Sequence, residues 1–209
     1  MDPDEELMDS ERFIVGSARN EKDNTSAFVV RNDARRHVHF TEKFFDQQLE
    51  LYRHMLTQPF DIEGHAHAAN LIHEFAHLFS NAIDITYLEA RRPFTDLINT
   101  ITGLGEATRH SQETFQRKAL SLETPQEELF AQWNSKLRSW ISLDSIPDTK
   151  HTGREILKVT ASQTMDEARN AFRTNADVRI NTILRNADSI AHLICHMGRQ
   201  LDPAPLPAP

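Results

Sequence analysis

Residues 71–79 decide the fold, and they read LIHEFAHLF. Apolar residues recur there at the three- and four-residue spacing of a helix, and the pattern extends over about residues 63–80. Apolar side chains cover more than half of the circumference, which predicts a helix buried at the centre of the domain. His73, Glu74 and His77 therefore lie in a segment that would otherwise be core.

These three residues form the H-E-x-x-H pattern. Positions four apart on a helix have Cβ atoms about 5–6 Å apart, so both imidazoles can reach one ion at about 2.0–2.1 Å. Glu74 follows His73 directly and therefore points in a different direction from the two imidazoles. From there it can reach a metal-bound water without binding the metal. Two histidines and a glutamate are costly inside a core unless a metal or a partner satisfies them. We therefore predict one Zn²⁺ per chain on His73 and His77, with Glu74 as general base.

The residues after the motif supply a candidate third ligand. In HLFSNAIDITYLEA, Asp84 follows His77 by seven residues and Tyr87 follows Asp84 by three. This arrangement resembles the aspzincin metallopeptidases of the deuterolysin type, in which H-E-x-x-H is followed by G-T-x-D-x-x-Y. The resemblance implies that His73, His77 and Asp84 are the zinc ligands, that Glu74 is the general base and that Tyr87 stabilises the oxyanion.

The sequence departs from that family pattern at the Gly-Thr pair, which is Asn81-Ala82. Asn can adopt the left-handed conformation that Gly would give at a helix end, so we expect the chain reversal to be retained. The hydrogen bond of the Thr hydroxyl is lost. The short spacing, with DI-Y followed by PF-DLI over residues 84–98, is similar to bacterial toxin-like relatives.

A second segment adds to the resemblance. Residues 185–194, RNADSIAHLI, look like the N-A-D-x-x-x-x-F segment of the family, whose Asp lies near the substrate pocket. This implies that Asp188 is a substrate-binding or supporting residue, and the alternative is an ordinary acid on a helix surface. Lysine-specific members carry an acidic residue three positions later. Ala191 occupies that position, so we do not expect lysine selectivity.

Six further residues are weaker candidates for metal binding: His37, His39, His65, His67, Glu89 and Glu106. The first two share one face of a predicted strand, which is a possible binding geometry, but we expect ordinary strand exposure. The next two stand too near His73 in sequence to share its ion easily, so we expect surface or core-polar roles. The two glutamates are the alternatives to Asp84 as third ligand.

Around the central helix, the sequence predicts a small sheet first and helices afterwards. Strand patterns occur at residues 12–17, 26–32 and 37–41, with the first two joined as a hairpin. Helices are expected at 42–58, 125–141, 153–173 and 176–198, with breaks at Pro93 and at residues 102–108. Trp133 and Trp140 form an apolar stripe of the second of these helices, either in the core or against a partner helix.

These elements predict a predominantly helical α+β fold. The resemblance makes the fold zincin-like, with the N-terminal sheet over the active-site helix and a C-terminal helical lobe. We expect one domain over residues 12–200, a flexible N-terminus at 1–11 and a Pro-rich tail at 201–209.

Composition limits the classes of partner. The formal charge is −8 and no dense basic run occurs, which argues against nucleic acid. No apolar stretch approaches the about 20 residues of a membrane span. The acidic start does not resemble a cleavable signal peptide. The single cysteine, Cys195, excludes an intramolecular disulfide and suits a reducing compartment.

Together, the motif and the resemblance predict a zinc-dependent metalloendopeptidase acting on a protein or peptide. The toxin-like features favour a secreted or translocated bacterial effector that acts in a target-cell cytosol, with a host protein as a possible target. The alternative is a non-catalytic helical interaction module with a degenerate or structural metal site. Such a module would bind its partner through Trp133 and Trp140.

Overall fold

The computed structural model describes residues 11–17, 25–30 and 32–201, and the fold is α+β with helices predominant. The strands are β1 (Phe13–Val15), β2 (Ala27–Val29), β3 (Val38–Phe40), β4 (Ala131–Asn134) and β5 (Ser139–Ser142). The helices are α1 (Glu42–Phe45), α2 (Glu50–Arg53), α3 (Ile62–Ser80), α4 (Gly103–Lys118), α5 (Lys150–Val159), α6 (Met165–Thr174), α7 (Ala176–Ile183) and α8 (Ala187–Leu201). Most of the predicted N-terminal segment, residues 18–24, residue 31 of the second predicted strand and the Pro-rich tail after residue 201 lie outside the described residues.

The three predicted N-terminal strands are present, but their order differs from the prediction. β3 lies in the middle, parallel to β1 and antiparallel to β2. The predicted hairpin of the first two strands is wrong, because β3 separates them. Val38 and Phe40 of β3 are buried, and such apolar side chains favour the central position of a small sheet.

The central helix is confirmed almost to the residue, as α3. Asp61 caps its N-terminus, where the carboxylate Oδ1 accepts from the Gly64 N–H at 3.0 Å. Asn81 ends it in the left-handed conformation with φ 50°, and the Ala82 N–H donates to the Ala76 carbonyl at 3.1 Å. Asn81 therefore supplies the chain reversal that the sequence predicts.

Two layers cover α3. On one side the sheet packs its inward side chains against the helix, in a cluster formed by Val38, Phe40 and Phe44 with Phe13, Ala27, Val29, Leu71, Phe75 and Leu78. On the other side α8 packs through small residues: Ala191 lies with Ala69, and Ala187 lies with Ala76. Small side chains allow the two helices to approach closely.

The helical lobe has its own core, centred on Ile156 and Phe172, which are fully buried. Ile83 and Ile85 are part of this core, although they follow α3 directly. Because alternate side chains of an extended segment point in opposite directions, Asp84 between them faces away from the lobe. The I-D-I sequence thereby directs one carboxylate back towards α3.

The prediction of a helix at 125–141 is wrong, because this region contains the hairpin of β4 and β5. Phe130 has φ 60°, a left-handed conformation that no helix interior tolerates. Trp133 pairs with Trp140 across the strands, with ring centroids 5.5 Å apart. A spacing of seven fits both a helical stripe and a cross-strand pair around a four-residue turn. Both rings are partly exposed, so the expected core role is also wrong.

Three other helix predictions need correction. The segment expected at 42–58 forms only α1 and α2, because Gln48 adopts φ 51° between them. The segment expected at 153–173 divides into α5 and α6 at Ala161, which has φ 51°. The segment expected at 176–198 divides into α7 and α8, with residues 184–186 between them.

One helix was not expected. α4 begins within the supposed break at 102–108, where Thr102 Oγ1 accepts from the Gly105 N–H at 3.1 Å and caps the helix. Within the described part of the chain, none of the helices is both long and apolar enough to cross a membrane.

Candidate metal centre

Three possible ligand atoms converge where α3 meets the loop after it. The Nε2 atoms of His73 and His77 lie 3.2 Å apart. Oδ1 of Asp84 lies 3.0 Å from Nε2 of His73 and 3.4 Å from Nε2 of His77. The structure thus brings together the three residues that the sequence proposes as ligands.

This triangle has the size that a tetrahedral zinc ion requires. Ligands about 2.0–2.1 Å from a tetrahedral ion are separated from each other by about 3.3–3.4 Å. The observed separations of 3.0, 3.2 and 3.4 Å lie near that value. Two imidazole nitrogens and one carboxylate oxygen are also a donor set that suits zinc. The three residues therefore fit a zinc ion in both spacing and chemistry.

Each histidine is held so that its Nε2 faces this triangle. Nδ1 of His77 lies 2.9 Å from the carbonyl oxygen of Ala82, and Nδ1 of His73 lies 3.4 Å from Oδ1 of Asp188. A proton on each Nδ1 satisfies these oxygens and leaves the Nε2 lone pair for a metal. The Ala82 carbonyl contributes through the backbone, so this support does not depend on the Thr of the family pattern.

The loop that carries Asp84 is fixed by a segment about 100 residues away. Asn186 is fully buried, and its Oδ1 accepts from the N–H groups of Ile85 at 2.9 Å and Thr86 at 3.2 Å. The Ile83 N–H donates to the Arg185 carbonyl at 2.8 Å. These bonds leave the Asp84 carboxylate little freedom relative to α3. In the sequence, Asn186 stands out only as part of the N-A-D segment, and its role in positioning the Asp84 loop was not predicted.

Glu74 is buried beside the two histidines. It is 6% exposed, and among the described residues its Oε2 atom has no hydrogen-bond partner. Burial raises the pKa of Glu74, while the neighbouring His73 and His77 act in the opposite direction. A buried carboxylate oxygen without a partner is costly, which is typical of functional sites rather than of structural cores.

The charges at the centre are strongly coupled. Burial lowers the pKa of His73, but the carboxylates of Asp188 and Asp84 outweigh this effect and raise it to about 10. Burial alone would raise the pKa of Asp84, yet hydrogen bonds to both histidines hold it well below the usual range. The carboxylates thus favour positive charge at the positions of the imidazoles. Positive charge supplied by a metal ion satisfies the same preference.

Tyr87 lies against the centre. Its ring stacks on that of His73, with centroids 5.8 Å apart and planes within 9°. Tyr87 as a whole is 55% exposed, but desolvation of its hydroxyl, and then the nearby acidic residues, raise the pKa of Tyr87, so the hydroxyl stays protonated at neutral pH. The phenol can therefore donate a hydrogen bond to an anion formed in the adjoining space.

Two cavities, of about 520 and 360 Å³, adjoin the centre and share the side chains of His73, Glu74 and Tyr87. The larger cavity extends to Asp33 and Arg36, and the smaller one extends to Glu89 and Arg91. The ligands, the candidate base and the phenol thus face space that a substrate can enter. This placement is typical of a catalytic metal site rather than of a closed structural one.

One edge of β2 also faces the centre. The Thr41 N–H donates to the Ser26 carbonyl at 2.9 Å, and Phe28 is paired with His39. Since hydrogen-bonded positions alternate along an antiparallel ladder, Ala27 and Val29 direct their backbone groups away from β3. None of the described strands pairs with that edge, and both residues line the larger cavity.

Other candidate ligands are engaged elsewhere. Nε2 of His65 lies 3.0 Å from the carbonyl oxygens of Ala90 and Arg92, and Nε2 of His67 lies 2.9 Å from that of Phe44. The expected polar roles of these two histidines are confirmed. Neither Glu89 nor Glu106 belongs to a ligand group among the described residues. His37 and His39 do belong to a group, which the expectation of ordinary exposure did not anticipate.

Asp188 is 7% exposed and contacts His73 through one carboxylate oxygen, while the other accepts from the Leu88 N–H. These contacts favour a positioning role behind His73. Asp188 also lines the smaller cavity, so its predicted role in substrate binding stays a prediction. Ala191, three residues later, is fully buried against Ala69 and Ala90.

No protein-family model matches the chain, and no significant match was found among curated proteins or solved structures. The resemblance to aspzincins therefore stays a prediction. It depends on the motif residues and on the geometry described above.

Replacing Asp188 by Asn should weaken zinc binding by about 10–100-fold, because His73 loses the charged partner that orients it. The affinity can be measured by competition with a zinc chelator of known strength. Asp177→Asn, at an exposed position in α7, is the matched control and should leave the affinity unchanged. If Asp188→Asn binds zinc as tightly as the unmodified chain, Asp188 does not position His73.

Proposed function

We propose that the chain is a zinc-dependent metalloendopeptidase with a zincin-like site of the aspzincin type. The observation that carries the proposal is the triangle of His73 Nε2, His77 Nε2 and Asp84 Oδ1, with the buried Glu74 carboxylate beside it. The adjoining cavities and the unpaired edge of β2 support the proposal. Together with Tyr87, these features supply metal ligands, a general base, a hydrogen-bond donor for an oxyanion and a surface for a peptide.

The chemistry assigns a role to each side chain. A zinc ion held by His73, His77 and Asp84 would polarise the scissile carbonyl and lower the pKa of a bound water to about 7. Glu74 accepts the proton of the attacking water and passes it to the amine nitrogen of the leaving peptide. Its burial keeps bulk water away and retains the proton near the reacting atoms.

Two further groups support this reaction. The Tyr87 hydroxyl donates a hydrogen bond to the oxyanion that develops on the carbonyl oxygen. Asp188 contacts Nδ1 of His73, which leaves Nε2 of this imidazole directed towards His77 and Asp84, where it would bind the ion. Asn186 holds the loop that places Asp84 and Tyr87 opposite α3. The proposed reaction therefore depends on two segments that are distant in sequence.

A substrate would bind in an extended conformation along β2. Backbone groups of Ala27 and the carbonyl of Val29 can pair with a peptide strand, which gives affinity with little dependence on sequence. The Val29 N–H already donates to the Glu74 carboxylate. Sequence preference would come from the cavity walls, where Asp33 and Arg36 lie on one side and Glu89 and Arg91 on the other. Both walls carry mixed charge, so the substrate class is a protein or peptide without a strong charge bias.

Removal of the metal provides the general test of this function. A strong chelator should abolish hydrolysis of a casein-type substrate, and added zinc should restore it. The melting temperature should fall by roughly 5–10 °C, because a ligand at 100 times its Kd stabilises the native state by about 2.7 kcal/mol. Hydrolysis that persists after complete zinc removal would contradict the proposal.

Replacing Tyr87 by Phe should lower kcat by about 10²–10³-fold, because the developing oxyanion loses a hydrogen-bond donor. Zinc content should stay at that of the unmodified chain. Tyr52→Phe, at the other tyrosine of the chain, is the control and should keep full activity. Equal kcat values for Tyr87→Phe and the unmodified chain would exclude the proposed role of the phenol.

We also propose that the enzyme is a bacterial effector with a host protein as substrate. The support is the toxin-like arrangement of residues 84–98 and the single cysteine, which suits a reducing cytosol. Exposure of host-cell lysate to the active chain, followed by mapping of new N-termini, should identify cleaved proteins. The chelator-treated chain is the control, and the same cleavages in both samples would argue against this role.

A second candidate function is protein binding through the β4–β5 hairpin. Trp133 is 49% exposed and Trp140 is 37% exposed, and aromatic side chains of this kind are enriched at interfaces. A non-catalytic module would contain no zinc and would show no chelator-sensitive hydrolysis. Trp133→Ala and Trp140→Ala would then abolish partner binding, whereas the peptidase proposal expects them to leave hydrolysis of small peptides intact.

A further inference from the structure

A second group of possible metal ligands lies on the outer face of the N-terminal sheet. It consists of Asp33, His37 and His39, and their ligand atoms lie within 4.8 Å of one another. None of these residues belongs to the centre on α3. Val38 and Phe40 of β3 are buried against α3, so the histidines that alternate with them project from the opposite face.

A turn places the carboxylate beside the two imidazoles. The Arg36 N–H donates to the Asp33 carbonyl at 3.0 Å, and Arg36 adopts the left-handed conformation with φ 56°. The chain therefore reverses between Asp33 and His37, just before β3 begins. His37 and His39, two residues apart on an extended strand, then present their rings on the same side as Asp33.

The three side chains are held in place by other contacts. Asp33 Oδ1 accepts from the Arg35 N–H at 3.0 Å, and Oδ2 accepts from the His37 N–H at 2.9 Å. Oδ2 also contacts Nδ1 of the His37 ring. The His39 ring stacks on Phe28, with centroids 4.8 Å apart and planes within 6°.

We propose that Asp33, His37 and His39 form a second binding site for a divalent transition-metal ion, with Zn²⁺ as its expected occupant. Two imidazoles and one carboxylate favour zinc over magnesium or calcium, which prefer oxygen ligands alone. All three residues are partly exposed, so solvent can complete the coordination. The contact between His37 and Asp33 must widen to admit an ion, so this site binds zinc more weakly than the centre on α3.

The position of this site connects it to the cleft. Asp33 and Arg36 line the same cavity as His73 and Glu74. An ion at the second site fixes the turn that forms this wall and adds positive charge at its rim. Zinc concentration would thereby change the shape and charge of the cleft without a change at the first ion.

Zinc stoichiometry of the full chain tests the proposal directly. After equilibrium dialysis at a fixed free-zinc concentration of tens of micromolar, metal analysis should give about two zinc ions per chain. His37→Gln and His39→Gln should each reduce this number to about one. His110→Gln, at an exposed position in α4, is the matched control and should keep two. Circular dichroism should show that all variants retain the helical content of the unmodified chain.

The result that supports the proposal is the loss of one ion in both His37→Gln and His39→Gln and no loss in the His110→Gln control. The proposal is overturned if the unmodified chain binds one ion and both variants keep it. It is also overturned if the unmodified chain binds two ions and both variants keep two. Failure of the first site gives a different result. If the first site does not exist, His77→Ala should bind as much zinc as the unmodified chain. His39→Gln should still bind one ion fewer than the unmodified chain, because the second site is separate.

Discussion

Replacing Glu74 by Gln is expected to reduce peptide hydrolysis by about 10²–10⁴-fold and to leave zinc bound. Gln has nearly the same shape as Glu, but it cannot accept a proton from the attacking water. Because Glu74 lies beside the ligand triangle without being part of it, the metal affinity should change little. The measurement pairs initial rates on a casein-type substrate with zinc analysis of the same sample.

Glu63→Gln is the matched control for this substitution. Glu63 lies in the first turn of the same helix, and its side chain is 55% exposed. Its replacement should leave both rate and zinc content unchanged. Full activity in Glu74→Gln would exclude a general base at this position. Loss of zinc together with activity would instead make Glu74 a ligand, which the described geometry does not predict.

Replacing Asp84 by Ala is expected to weaken zinc binding by more than about 100-fold and to abolish hydrolysis with it. Removal of a direct ligand costs more than removal of a residue that only orients one, for which the loss is about 10–100-fold. The substitution also leaves the imidazoles of His73 and His77 without their nearest shared carboxylate oxygen. Zinc competition titration and peptide hydrolysis are the two measurements.

Asp166→Ala is the control for the loss of a carboxylate. The Asp166 side chain is 90% exposed on α6, so its replacement should change neither zinc affinity nor rate. If Asp84→Ala retains zinc at full affinity, the aspzincin assignment fails. Glu89 and Glu106 would then have to be tested as the third ligand, although neither lies in a ligand group among the described residues.

The sequence alone predicts the centre of the fold well, because its signals are local. The apolar period of α3 and the left-handed Asn81 lie within one stretch of chain. The position of Asp84 also follows from nearby sequence, since buried isoleucines on both sides direct its carboxylate towards the histidines. Local periodicity and capping therefore place most of the candidate ligand set.

Other parts could not be predicted in this way. Trp133 and Trp140 have a spacing that suits a helix as well as a hairpin, and the left-handed Phe130 decides between them only in the folded chain. The strand order depends on burial of β3 against α3. Such choices depend on tertiary packing rather than on local propensity.

The supporting contacts of the centre were the hardest to predict. Asn186 fixes the Asp84 loop from about 100 residues further along the chain, and its local sequence does not indicate this role. Asp188, which contacts His73, was indicated only by the resemblance, as a substrate-binding or supporting residue. A polar residue at the start of an apolar helix is ordinary in sequence. The signal that could have identified Asn186 is its place directly before the buried face of α8, where an amide needs partners.

Anomalous scattering of zinc, measured in crystals of the full chain grown with zinc, tests the proposed zinc centre on His73, His77 and Asp84 most directly. A zinc centre on these residues predicts a peak about 2.0–2.2 Å from Nε2 of His73, Nε2 of His77 and a carboxylate oxygen of Asp84, with Glu74 beside it but outside the ligand set. A fully occupied peak elsewhere, with none between these three residues, would exclude the proposed zinc centre.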